Sequence, residues 1–325
     1  MINSVTVTNH LGKSLKLELA RPELTGLAIT SITGLGPGKA SINTTELATT
    51  DGSVFNMAKR PERNIVIEIY YLFHETVEEA RQISYLYFPL KKKITLEFET
   101  ELRKVKIEGY VESNDPNIFN KKVKSQISII CPDPYFYALE DQTTYFTSII
   151  PSFEFPFSNE GIDLTHMPIP SQDLYPSSSL YPGTYQYTPT IEFGELVFDR
   201  IQNIYYEGNA ETGINIKLHA LSSASDIKIY NINDRGEIDL NSEIIKSITG
   251  NYVINGDDIE ICTIKGQKKA TLLRNGITYN ILNAINRDAD WFVLNYGDNA
   301  FAYDFEGDTA ALQLEIYNKV LFEGI

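Results

Sequence analysis

The sequence predicts a mainly β protein built as two units, and three observations carry that prediction. Its 325 residues hold 20 Tyr and 16 Phe against one Trp and three Met, and Tyr and Phe favour strands. Apolar and polar residues alternate along much of the chain, with Gly, Asn and Asp turn signals between the alternating runs. Charge divides the chain: residues 1–137 hold 17 Lys and Arg against 16 Asp and Glu, whereas residues 138–325 hold 11 against 27. The length agrees, because a single hydrophobic core stops growing at about 250 to 300 residues.

In chain order, Ser4–Thr8 and Leu15–Leu19 keep period two and read as half-buried strands. Gly34, Gly36, Pro37 and Gly38 mark a turn, Asp51-Gly52 another, and Asn64–Phe73 a longer strand. One stretch has a helical period: Glu75–Leu86 places Val77, Ala80 and Ile83 on one face, with acids in its first turn and Pro89 as its stop. Strands resume at Ile94–Phe98 and Arg103–Tyr110, a turn follows at Asn114–Asn117, and a strand from Val123 to Ile130 closes the first unit. Seven of the 14 prolines precede residue 135, and the other seven fall between Pro151 and Pro189. Prolines so spaced forbid a helix and interrupt a central strand, so residues 151–190 read as an extended excursion rich in Pro and Tyr. Beyond it the second unit reads as entirely β, with runs at Thr190–Phe193, Gly213–Leu218, Asp226–Tyr230, Asp258–Ile261 and Ala311–Tyr317. Turn signals at Asn233–Gly236, Asn255-Gly256, Asn275-Gly276 and Gly297–Asn299 separate them, the pattern of an antiparallel sandwich.

The chemistry-bearing residues point away from catalysis. His10, His74, His166 and His219 stand alone, and no nucleophile-elbow, zinc-protease or phosphate-loop pattern surrounds any of them. The sequence therefore predicts no enzyme, no cofactor and no metal. The acids at Asp257-Asp258, at Asp288 and Asp290, and at Asp304, Glu306 and Asp308 match no calcium loop and read as solvated turns. Cys131 and Cys262 are too few for a disulfide framework and are expected as free thiols from a reducing cytoplasm. A net charge of −15 argues against general or sequence-specific nucleic-acid binding. No run is long and apolar enough for a membrane span, and no signal peptide is recognised. Lys91–Lys93 and the lysines at 121, 122 and 124 read as guards of strand edges, with an electrostatic partner contact as the alternative. Trp291, in an apolar run, reads as core before sugar platform.

The order of these features resembles the distal tail protein family of long-tailed bacteriophages. The residues that carry the resemblance are the Gly34–Pro37 turn, Asp51-Gly52, the basic stretch from Arg60 to Arg63, the helix ending in Phe88-Pro89-Leu90, and Cys131-Pro132-Asp133-Pro134-Tyr135-Phe136. In the second unit they are Phe153–Phe157, Tyr206–Gly213, Trp291–Asn299 and the stretch Tyr317–Ile325. The resemblance implies a β-barrel or sandwich-like ring domain with one helix over residues 1–137 and a galectin-like antiparallel β-sandwich over 138–325. It implies a structural virion protein at the tail tip, assembled in the host cytoplasm, whose hexameric ring joins the tail tube to the baseplate or receptor-binding apparatus. The partners so implied are further copies of the chain, the tail tube protein, a tail-associated hub or fibre protein, the tape measure protein and receptor-binding proteins.

A closed ring needs a head-to-tail interface, and residues 24–60 and 112–126 are the candidates, with Gly34, Gly36, Asp51, Lys121 and Lys122 named within them. The excursion is longer and richer in Tyr and Pro than the family pattern, and Tyr175, Tyr181, Tyr185 and Tyr187 form a candidate partner-docking arm, with a strap over the second unit's own sheet as the equal alternative. A different class of function, a carbohydrate-binding β-sandwich for host-surface recognition, is the alternative. A galectin-like fold does not by itself confer sugar binding.

Overall fold

The computed structural model describes residues 1–47, 51–72, 77–117, 123–151, 194–308 and 310–325. The expected strand over 190–193, the excursion beyond Pro151, His74, His166, Lys121, Lys122 and the four candidate tyrosines lie outside the described residues.

The first unit contains β1 (Ile2–Thr8), β2 (Ser14–Glu18), β3 (Leu27–Thr33), β4 (Ser41–Glu46), β5 (Ser53–Lys59), β6 (Arg63–Tyr71), α1 (Val77–Tyr87), β7 (Lys93–Thr100), β8 (Lys104–Pro116), β9 (Lys124–Cys131) and β10 (Phe136–Ala138). Its main sheet runs in the order β2-β1-β7-β8-β9-β6-β3 with antiparallel neighbours. Alternation sets the inner face: Ile65, Ile67 and Ile69 of β6, Leu96 and Phe98 of β7, and Ile127 and Ile129 of β9 are all buried. The expected helix is α1, with Ala80 buried and Ile83 packed against the core. The turn expected at Asn114–Asn117 is instead the end of β8, whose ladder with β9 continues to Pro116 opposite Ser125.

The strands β4 and β5 carry no period-two signal in the sequence, yet they pair as a two-stranded ribbon with Ser41 opposite Lys59. Every residue of both strands is exposed. The turn expected at Asp51-Gly52 lies just before β5, with Gly52 at φ +101°.

The second unit contains β11 (Gln142–Tyr145), β12 (Thr147–Pro151), β13 (Gly194–Phe198), β14 (Ile201–Tyr206), β15 (Thr212–Gly213), β16 (Asn215–Ala220), β17 (Ala224–Asn231), β18 (Gly236–Leu240), α2 (Ser242–Thr249), β19 (Asp258–Cys262), β20 (Lys269–Arg274), β21 (Ile277–Asn280), β22 (Val293–Leu294), β23 (Gly297–Gly307), β24 (Leu312–Asn318) and β25 (Leu321–Phe322). Two antiparallel sheets, β11-β24-β16-β19-β20-β21 and β14-β23-β17-β18, bury their inner residues in one shared cluster. Ile216, Leu218, Ile259 and Leu314 come from the first sheet, and Ile229, Phe301 and Tyr303 from the second. Asn275 and Gly276, at φ +51° and +79°, form the two-residue turn that joins β20 to β21, as Asn-Gly favours.

Two expectations for this unit fail. It is not entirely β, because α2 is present: the Asn241 side chain accepts from the N–H groups of Glu243 and Ile244 at 3.0 and 3.1 Å, and Gly250 ends the helix at φ +83°. Both cap signals stand in the sequence, but eight residues are too few for periodicity to reveal. Gly297–Asn299 is not a separating turn but the start of β23, where Asn299 is buried and its side chain binds the carbonyls of Asn295 and Gly297.

The described chain does not end in the second unit's sandwich. The last strand, β25, pairs with β10, and β10 pairs with β8, so residues 136–138 and 321–322 both extend the first unit's sheet.

Candidate assembly site at the junction of the two units

Four sequence stretches that are far apart in the chain meet at this junction: the Gly34–Pro37 turn, Arg60–Arg63, Pro134–Phe136 and Phe322–Ile325. Arg63 opens β6 and is 5% exposed. Its Nη1 donates to the carbonyls of Gly34 and Gly36 at 2.6 and 2.7 Å, its Nε to Pro134 O at 2.7 Å, and its Nη2 to Glu323 O at 2.5 Å. The guanidinium also lies 4.6 Å from the centre of the Phe136 ring. Burial and the neighbouring Arg60 lower its pKa from the ordinary value, but a guanidinium stays charged in proteins. Four bonds from one fixed fork tie three separate backbone segments together, which a lysine ammonium could not reproduce.

Two further arginines flank it. The Arg60 Nη2 pairs with Glu323 Oε1 at 2.5 Å while its guanidinium stacks 5.1 Å from the Tyr135 ring. Arg103, from the turn between β7 and β8, donates to Gly324 O at 3.1 Å and lies 4.3 Å from the Phe322 ring. Ile325 N–H donates to Leu35 O at 3.1 Å. Two glycines are required by close approach. A Cβ on Gly34, which sits at φ +85°, would stand 2.1 Å from Asn64 O, and one on Gly324 would meet Pro37 at 3.0 Å.

Two cavities border the junction. One of about 480 Å³ is lined by Gly34, Gly36, Lys39, Arg60 and Arg63. The other, about 550 Å³, lies between the units and is lined by Asp133, Tyr135, Tyr137, Glu211, Lys265 and Lys319 among others. Tyr137 donates to Asp133, and Lys319 lies over the Tyr137 ring.

Of the candidate contact residues, Gly34 and Gly36 are in this junction, exposed at the surface while their carbonyls hold Arg63. Asp51 is exposed at the far end of the ribbon. Sequence reading grouped Gly34 and Gly36 with the turn but missed Arg103 and the role of Arg63. Nothing in a lone arginine's neighbours announces partners 260 residues away.

Several other chemistry-bearing residues have structural partners. Arg274 holds Asp257 with two bonds of 2.8 and 2.5 Å, and Asp257 is 1% exposed at its side chain. Asp258 pairs with His219 Nδ1 at 2.7 Å. Trp291 packs partly buried against the core with Lys268 Nζ 4.6 Å from its ring centre, in keeping with the core reading. Lys93 pairs with Glu108 at 2.8 Å. Cys131 and Cys262 are free and buried, as expected. Among the described residues no group of three or more His, Cys, Asp or Glu could hold a metal ion, and no helix is long and apolar enough to cross a membrane.

These features define a class: a mainly β chain with a sheet-and-helix first unit and a two-sheet second unit whose end returns to the first. The particular likeness is to the Dit protein of phage SPP1, described as a paradigm of the hub adsorption apparatus in phages infecting Gram-positive bacteria. It matches with a TM-score of 0.57 at 12% identity, over 97% of this chain and 98% of that one. A chain of the phage P2 baseplate in its activated conformation with calcium matches with a TM-score of 0.39 at 13% identity, over 98% of each chain. At these identities the likeness to SPP1 Dit is one of fold. No protein-family model and no curated protein matches the sequence.

Proposed function

We propose that the chain is a structural protein of the distal end of a phage tail, six copies of which close into a hub ring that joins the tail tube to the baseplate or receptor-binding apparatus. The observation that carries this reading is the end-to-end sharing of fold with the SPP1 hub protein. In this reading the first unit forms the ring, the second projects from it, and the chain performs no catalysis.

Two local observations support it. The β4–β5 ribbon exposes Ile42, Val54, Phe55 and Met57 at 64, 48, 61 and 52%. A free two-stranded ribbon is marginally stable in water, and apolar side chains on a projecting arm favour burial against another surface. The arm leaves the sheet at the β3 edge, whereas the exposed Leu11, between β1 and β2, stands at the opposite edge. Unlike surfaces at opposite edges suit a heterologous, ring-closing contact. Gly34, Gly36 and Asp51 then belong to the arm and its base, while Lys121, Lys122 and the tyrosine-rich excursion remain candidate contacts with neighbours and partners.

Light scattering coupled to size exclusion tests the reading. The expected species has a mass near six times 36.7 kDa, about 220 kDa for a closed ring of six. A species that stays monomeric with the tail tube protein present would overturn it.

A further inference from the structure

Among the described residues, the arm's two strands bury no side chain against the rest of the chain. Its two legs are residues 34–40, leading from β3 into β4, and residues 60–62, leading from β5 into β6. With both strands exposed, the legs set the direction in which the described part of the arm projects. Residues 323–325 touch both legs. On the first leg, Ile325 N–H binds Leu35 O, Gly324 packs against Gly36 and Pro37, and Arg63 links Gly34 O and Gly36 O to Glu323 O. On the second leg, the Glu323 carboxylate binds Arg60, the residue directly after β5.

These residues belong by sequence to the second unit. Two bonds hold them to it: Glu323 N–H donates to Asn209 Oδ1 at 2.7 Å, and Leu321 N–H donates to the buried Tyr206 hydroxyl at 3.0 Å. One short segment is thus anchored in the outer unit at one end and in the base of the arm at the other. From this we infer that residues 321–325 are a positioning clasp: the folded second unit sets the angle of the β4–β5 arm, and a second copy of the chain takes up that arm only when the clasp is closed. The inference rests on the hub reading, in which the arm meets a neighbouring copy. It adds that the outer unit controls ring closure through contacts within its own chain.

The energetic case is one of cooperativity. A hinge of two short legs without other contacts opens locally at little cost. A binding partner sees its affinity reduced by the fraction of molecules that hold the competent geometry. Clasp contacts on both legs raise that fraction without adding a contact to the interface.

The test uses the full chain carrying Glu323→Ala, which removes the Arg60 partner, or Gly324→Val, whose side chain displaces Pro37. Hydrogen exchange over residues 34–40 and 60–63 reports the clasp, light scattering reports the assembly, and thermal melting reports whether each variant folds. The expected result is a folded protein with exchange on both legs faster by about tenfold and ring formation shifted to about tenfold higher concentration. Should Gly324→Val fail to fold, Glu323→Ala carries the test, with Arg60→Ala expected to give the same shift and the double variant no further one. Unchanged exchange on the legs, or loosened legs with unchanged ring closure, would overturn the clasp. A wild-type chain that forms no ring even with the tail tube protein counts against the hub reading, and the exchange comparison still decides whether residues 323–325 hold the arm.

Discussion

At the scale of single residues, Arg63 carries the largest share of the junction. A hydrogen bond to a charged group contributes about 1.5–3 kcal/mol, and Arg63 makes four to backbone carbonyls. Bonds that share one guanidinium are not additive, so Arg63→Ala is expected to cost about 3–5 kcal/mol, read from urea denaturation. Arg63→Lys should recover less than half, because an ammonium cannot address all three segments. Cys131 gives a second prediction. Burial pushes its thiol up to about 12, and both cysteines are buried, so at pH 8 the folded protein should not react with a thiol reagent. The unfolded, unreduced chain should react at both cysteines, whereas a count below two would reveal a bridge. Little of this was legible in sequence. The absence of a Cys-x-x-Cys pair gave the free thiols, but Arg63 looked like one basic residue among several, because its partners lie 27 to 260 positions away.

At the scale of elements, strands with one buried face were legible and those without were not. β6 reads Asn-Ile-Val-Ile-Glu-Ile from its second residue and buries Ile65, Ile67 and Ile69; the core dictates its alternation. β4 and β5 face no core in the single chain, so nothing imposes a period on them, and only the Asp51-Gly52 signal marked a turn there. This supplies a prediction. Phe55→Asp should leave the melting temperature of the monomer within about 2 °C, since an exposed substitution changes stability by within about 0.5 kcal/mol. It should also abolish self-association on size exclusion. A second element-scale prediction concerns the β2-β1-β7-β8 end of the sheet. Glu99 of β7 accepts from Ser4 Oγ and pairs with Lys104 and Lys16 at 2.9 and 3.1 Å, and these partners, Lys104 foremost, hold its pKa down at about 2. A depressed carboxylate pKa contributes stability above the unfolded value of about 4.3, and that stability is lost as pH falls towards the folded value. The wild-type melting temperature should therefore fall more steeply between about pH 4.5 and pH 2 than that of Glu99→Gln. Parallel curves would show that the three-way pairing contributes nothing measurable, as fully screened surface pairs do.

At the scale of the whole molecule, the charge split divides the chain where the fold changes from the nine-stranded sheet to the sandwich, yet the junction crosses that division. Residues 321–322 follow an acidic sandwich in sequence and extend a near-neutral sheet in space. Composition averages over such a crossing, so the contacts of residues 321–325 with Arg60, Arg63 and Leu35 were not legible in it. Parts of four of the motifs that carried the family resemblance are neighbours: Gly34–Pro37, Arg60–Arg63, Pro134–Phe136 and Phe322–Ile325 share one set of contacts. The central claim is that copies of this chain close into a hub ring, and imaging the assembled protein by negative stain tests it most directly. The account predicts six-fold rings with the first units around a central opening and the second units outside, lost in Phe55→Asp. Images of wild-type protein with the tail tube protein present that contain only isolated two-lobed particles, or rings built from the second unit, would contradict it.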